Sequence, residues 1–209
     1  MRAIARRTLI LAATAVAALS LAACGDKGGA KGAGAPDDMT LGKADAPVTV
    51  MEYASPTCPH CANWNAEVFP AFKAKYVDTG KVHYVFREAP IHGAVDAATF
   101  LLARCAGKDK YFEVVDAMMR NLPQLSEGED PRAVLLRVAQ SAGMDEAKFN
   151  ACVGDEEALK QLNARMEKEM KEFDVDSTPT FIINGKKADF MGPPTMEQLD
   201  AAIQPLLKK

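Results

Sequence analysis

The hydrophobic pattern divides the chain into three regimes. Leu9 to Ala23 is an apolar stretch rich in Ala and Leu and without charge, and Gly25 to Asp38 carries no bulky apolar residue at all. From Met39 onward, short β-branched runs and longer helical periodicities alternate, as they do in a folded domain. Pro47 to Tyr53 is β-branched and bounded by Pro and Ser, which predicts a strand. A helix is expected to start at Cys58-Pro59, with Pro in its first turn, and to run to about Tyr76 with a kink or break at Pro70. Asp78-Thr79-Gly80 reads as a turn and Val82 to Phe86 as a second strand, so the first half is a βαβ unit.

The middle of the chain has helical patterning only. Val95 to Cys105 and Tyr111 to Asn121 are two candidates. Asp130 caps a third, with Pro131 at its first position and Gly143 closing it. Asp145 starts a short segment ending near Cys152. Asp155 caps the longest helix, where the spacing of Leu159, Leu162, Met166, Met170 and Phe173 predicts a core stripe, a soft methionine-lined binding surface being the alternative. Strands then return. Thr180 to Ile183 is apolar, Asn184-Gly185 is a hairpin turn, and Lys187 to Phe190 pairs back. Thr195 and Gln198 form a capping box for a last helix carrying Leu199, Ile203 and Leu206. The order is βαβ, several helices, then ββα, with no internal repeat.

The first regime is an address. Arg2, Arg6 and Arg7 precede the apolar run, whose 15 residues would rise only about 22 Å as a helix, short of a bilayer core of about 30 Å. It therefore reads as a signal peptide, residues 1–23. Leu21-Ala22-Ala23-Cys24 resembles the lipobox of bacterial lipoproteins, in which the cysteine is lipidated; an ordinary signal cleaved at small residues is the plainer alternative. Arg6-Arg7-Thr8-Leu9-Ile10 loosely resembles a twin-arginine export signal, so the export route stays open between that and the general one. Residues 24–38, rich in Gly, Ala and Lys, form a tether, and the domain spans 39–207.

Composition narrows the classes. The chain has 209 residues, 48% hydrophobic and 25% charged, with 25 Lys+Arg against 28 Asp+Glu. Those proportions exclude a mostly disordered chain and a multi-span membrane protein. No basic excess is available to neutralise phosphates, so nucleic acid is not an expected partner.

The cysteines carry the chemistry. With Cys24 set aside, Cys58 and Cys61 form Cys-Pro-His-Cys, and Cys105 and Cys152 stand apart. Export places all four in an oxidising compartment. Cys58 falls at a helix N-terminus, where free N–H groups stabilise a thiolate, and Cys61 lies one turn in as a resolving thiol. His60 adds a donor or positive charge beside Cys58. Half of a zinc site and a purely structural disulfide are the competing readings. A structural zinc needs two more ligands, which the scattered His83 and His92 do not offer. Trp64, just behind the motif, is expected to pack the helix on the sheet, and His83 and His92 to be ordinary strand-end and loop residues.

Cys58-Pro59-His60-Cys61 after Val48 to Tyr53, with Ser177-Thr178-Pro179-Thr180 before a strand, resembles the DsbA family of thiol:disulfide oxidoreductases, which have a thioredoxin-like α/β fold. The lead-in Leu41-Gly42 and Asp45-Ala46-Pro47 is similar to that of alphaproteobacterial members. The resemblance covers about residues 40–207 and implies an all-helical insertion at about 90–174. It implies Cys58 as the exposed nucleophile, Cys61 as its buried partner, and Pro179 as a cis-proline placing the Thr178 backbone against Cys58. It implies Glu52 as a buried acid beneath the pair, where the pattern alone also allows an edge-exposed strand residue. A structural disulfide between Cys105 and Cys152 is expected, two buried free thiols being the alternative.

The function this resemblance implies is introduction of disulfides into cysteine-containing exported proteins. A quinone-linked membrane protein would reoxidise the pair, and no cofactor or metal is called for. The location implied is the bacterial periplasm, with a lipid anchor at Cys24 in a leaflet the sequence does not give. Thr178 stands where the best-known oxidase of the family has valine and is similar to the isomerase branch. An isomerase or reductase therefore stays open, as does a lipoprotein module binding copper or zinc at Cys58, His60 and Cys61.

Overall fold

A computed structural model describes residues 37–208. The first strand, β1 (Met39–Leu41), is an element the sequence pattern did not announce; three residues are too few to show a period. It is followed by β2 (Val48–Ala54), β3 (Val82–Glu88), β4 (Thr180–Ile183) and β5 (Lys186–Lys187). They form one sheet in the order β1-β3-β2-β4-β5, with β2 and β3 parallel and every other pair antiparallel. β2 is therefore central, flanked on both sides, and is buried along nearly its whole length.

Between β2 and β3 runs a broken helix: α1 (Pro59–Glu67), α2 (Phe69–Phe72), then a π-helical turn over Lys73–Val77. The break falls at Val68, two residues before Pro70, whose missing N–H and ring do not fit a helix interior. Between β3 and β4 lie α3 (Ala94–Ala106), α4 (Lys108–Arg120), α5 (Leu122–Ser126), α6 (Pro131–Ser141), α7 (Glu146–Val153) and α8 (Glu156–Glu172). Asp130, Asp145 and Asp155 cap α6, α7 and α8 through backbone N–H groups. The short α5 has no signature in the sequence, because Pro123 and its five-residue length give no periodicity. Asn184 and Gly185, at φ 46° and 76°, turn β4 into β5. β5 stops at Lys187, shorter than the pattern suggested, and the following loop carries Phe190 back onto Phe181. α9 (Met196–Leu207) starts at the capping box of Thr195 and Gln198.

The two faces of the sheet differ. Val50, Tyr84, Phe86, Phe181 and Ile183 face a large core shared with Trp64, Phe72, Tyr76, the insertion and α9. Met51, Tyr53, Val85 and Ile182 face a smaller core closed by Val175, with Met170 and Phe173 packed against it. The stripe on α8 is thus divided: Leu162 is fully buried, while Leu159 and Met166 are half-buried. Trp64 packs against Phe69, Phe72 and Phe181, and its Nε1 donates to the Pro194 carbonyl at 3.0 Å.

Adjacent residues at the end of β3 tie this frame together. Arg87 pairs with Asp38 at 2.9 Å and Glu169 at 2.7 Å. Glu88 accepts from Arg104 at 2.6 and 2.9 Å, Arg165 at 2.8 Å and Tyr111 at 2.9 Å. Each of these buried charges thus has an opposite charge against it, as burial requires.

Candidate active site

β2 ends at Ala54 in the middle of the sheet, and a short turn later the chain enters α1. Cys58 is the N-cap residue of α1, in extended conformation with φ −81° and ψ 120°. Its own N–H donates to the Ser55 carbonyl at 3.2 Å, which closes the turn between strand and helix. Pro59 takes the first helical position, where no N–H is needed. Cys61 lies one turn in. Both cysteines are free thiols. Cys58 is only 3% exposed and Cys61 0%, so the expectation of an exposed nucleophile is corrected: the pair lies under a rim, with Cys58 the more accessible.

The rim is the loop before β4. The Thr178–Pro179 peptide is cis, and the Cys58 thiol donates to the Thr178 carbonyl at 3.4 Å. Thr178 Oγ1 is buried with no hydrogen-bond partner among the described residues, and Thr178 stands beside the same sulfur. A hydroxyl there becomes a donor when the sulfur loses its proton.

These contacts split the two thiols. Cys58 is pulled down to about 4 by the hydrogen bond from Cys61; burial opposes this, and Thr178 and the N–H groups of Cys61 and His60 reinforce it. Cys61 is driven upward, first by giving its hydrogen to Cys58, then by burial and the negative charge of Glu52. A thiolate at Cys58 and a protonated Cys61 form the favoured reduced state. His60 contributes its backbone N–H, while its ring is exposed. That residue lines a cleft of about 280 Å³ with Pro179, Phe190 and Pro193.

Glu52 lies on β2, 2% exposed, which excludes the edge-exposed alternative. Tyr84 on β3 donates to its Oε2 at 2.5 Å. Burial pushes the Glu52 carboxyl up to about 8; the Tyr84 bond pulls the other way, and the Cys58 charge adds to the rise. Such a group can hold or release a proton near neutral pH. Nothing local in the sequence marks Tyr84 as part of the site. The parallel pairing of Val50 with Tyr84 and Glu52 with Phe86 places it on the Glu52 side, and that register is not a local property.

The remaining candidates lie elsewhere. Cys105 on α3 and Cys152 on α7 are joined in a disulfide with Cα atoms 6.0 Å apart. His83 is buried on β3, held below its ordinary value by burial, and His92 is exposed before α3. Among the described residues no group of three His, Cys, Asp or Glu side chains stands together to hold a metal. Cys24, the expected signal peptide (residues 1–23) and the expected tether up to residue 36 lie outside the described residues.

The thioredoxin family model matches residues 34–205. A Rickettsia bellii protein named "Putative protein-disulfide oxidoreductase" is 34% identical over 154 residues, 73% of this chain and 59% of its own length. The chain thus spans less than two thirds of that relative. Among solved structures, Wolbachia pipientis alpha-DsbA1 superposes with a TM-score of 0.75 at 26% identity, covering 84% of this chain and 93% of that one. BdbD from Bacillus subtilis, in its oxidised form, shares the fold with a TM-score of 0.71 at 23% identity, covering 82% and 94%.

Proposed function

Because the chain belongs to the thioredoxin family, among its DsbA-like members, we propose that it is a thiol:disulfide oxidoreductase whose redox centre is Cys58–Cys61. The observation that carries the reading is the asymmetry of the pair. Cys58 caps the N-terminus of α1 against the Thr178 loop, where Cys61 and the helix N–H groups favour its anion, and Cys61 is fully buried one turn in, where its proton is held. Such a centre favours its reduced form, so its disulfide oxidises other thiols.

The steps follow from that asymmetry. A substrate thiolate attacks Cys58 of the enzyme disulfide, forming a mixed disulfide and expelling Cys61 as a thiolate. Protonated Glu52 supplies the proton Cys61 takes up, and Glu52 recovers one from solvent. A second substrate thiolate then attacks the substrate sulfur of the mixed disulfide. A substrate disulfide forms and Cys58 leaves as its stable thiolate. An extended substrate would pair with the backbone at Thr178.

Cysteine-containing exported proteins are the proposed substrates, in the bacterial periplasm, and a quinone-linked membrane protein the reoxidant, both drawn from family resemblance. Among the described residues no helix is long and apolar enough to cross a membrane. The attachment we propose is lipid on Cys24, with a tether that ends before Asp38, whose carboxylate is buried against Arg87, and a working domain from there to residue 207; a tether raises encounter with a membrane partner. Mass spectrometry of the mature N-terminus tests it, and an unmodified start beyond Cys24 rejects it. Thr178 favours a second reading, an isomerase or reductase of the same chemistry, which the redox potential separates.

Peptide oxidation and insulin reduction by wild type and Cys58→Ser test the central assignment. Loss of both activities in the variant is expected, and full activity in the variant rejects it.

A further inference from the structure

Asp96 has no place in the steps above, yet it is 0% exposed and lies in the first turn of α3. Its Oδ1 accepts from Thr57 N at 3.1 Å and Thr57 Oγ1 at 2.6 Å. Its Oδ2 accepts from Ser55 Oγ at 2.8 Å and His92 N at 3.0 Å. Three of the four donors belong to the turn that leads into Cys58.

Ser55 is the hub of that turn. Its carbonyl receives the Cys58 N–H at 3.2 Å, its backbone helps hold the Cys61 thiol down against burial, and its hydroxyl goes to Asp96. One residue thus closes the turn into Cys58, acts on Cys61, and is itself pinned from α3. From this geometry we infer that Asp96 is a positioning residue for the redox pair, holding Ser55 and Thr57 so that Cys58 and Cys61 keep their unequal surroundings. It also joins the start of the helical insertion to the active-site turn. The inference rests on Cys58–Cys61 being the redox centre.

The side-chain chemistry makes the assignment testable. A carboxylate has acceptors on both oxygens; an asparagine has one oxygen and an NH₂ group. Thr57 N–H and His92 N–H point at opposite oxygens and cannot turn round. In Asp96→Asn, either orientation of the new amide would therefore set its NH₂ against a backbone donor. The substitution should loosen the turn while changing no atom of the cysteines. The ionisable side chains beside Cys58 are Cys61 and His60 on α1 and Glu52 on β2, all retained.

The experiment is thiolate absorbance against pH, with the glutathione equilibrium, on the full chain and its Asp96→Asn and Ser55→Ala variants. Positioning predicts that the Cys58 titration moves up in both variants, by about one pH unit in Asp96→Asn, with an equilibrium about tenfold less oxidising. A bare charge effect has the opposite sign, because removing a nearby anion favours a thiolate. An unchanged or lowered titration in both variants, with only Tm reduced, overturns the inference. Ser55→Ala carries the test alone if Asp96→Asn does not fold. A wild-type chain with no acid-titrating thiol and no exchange with glutathione would instead reject the proposed function.

Discussion

Tyr84 donates a 2.5 Å hydrogen bond to Glu52, and the two side chains, from neighbouring strands, belong to residues that are each 2% exposed. The bond holds down a carboxyl that burial pushes up to about 8. Tyr84→Phe should therefore move the Glu52 titration further up, by about one to two pH units if the bond is worth about 1.5–3 kcal/mol. Infrared or NMR titration of Glu52 reads this directly. An unchanged midpoint would mean that Tyr84 does not govern the acid.

Glu52 also sets a slope of stability with pH. Its folded value, about 8, lies above the ordinary 4.5, so the folded protein holds the proton more tightly than the unfolded chain. The stabilisation is complete below 4.5 and is lost as pH rises through about 8, at most about 5 kcal/mol. Glu52→Gln should flatten the denaturant-derived stability of the oxidised protein between pH 5 and 8. A wild-type slope kept by the variant would place its origin elsewhere.

Cys58 works in the other direction, and only in the reduced protein. Its folded value, about 4, lies below the ordinary 9, so its stabilisation is present above 9 and is lost as pH falls through about 4. The reduced form should therefore gain stability over the oxidised form as pH rises across that window. Paired urea denaturations of the two forms at pH 4, 6 and 8 measure the gap. A gap that does not widen contradicts the thiolate assignment.

The Cys105–Cys152 bond closes a separation of 47 residues between α3 and α7. On the chain-entropy model such a closure stabilises by about 4 kcal/mol. The double variant Cys105→Ala, Cys152→Ala should lose about 2–4 kcal/mol in urea denaturation. A variant as stable as wild type would leave the bond without a structural role.

Local features of the fold were legible in the chain. Asp130, Asp145, Asp155 and Thr195 cap the helices they announce, because a cap is a matter of three or four consecutive residues. Asn184-Gly185 turns as its left-handed preference requires. The Cys-Pro-His-Cys spacing and Thr178-Pro179 located the two halves of the site although they are 120 residues apart. What stayed hidden depends on register and on contacts far apart in sequence. Tyr84 reaches Glu52 only through the parallel pairing of β2 and β3. Asp96 meets Ser55 and Thr57 across 41 and 39 residues, and Glu88 gathers Arg104 and Arg165 from two helices. No pattern of apolar positions encodes those meetings.

The most direct measurement is the equilibrium of Cys58–Cys61 with glutathione. The account predicts a strongly oxidising couple, with a potential above about −150 mV. A potential near or below about −250 mV would contradict it and make the centre a reductant, with Thr178 the first residue to substitute.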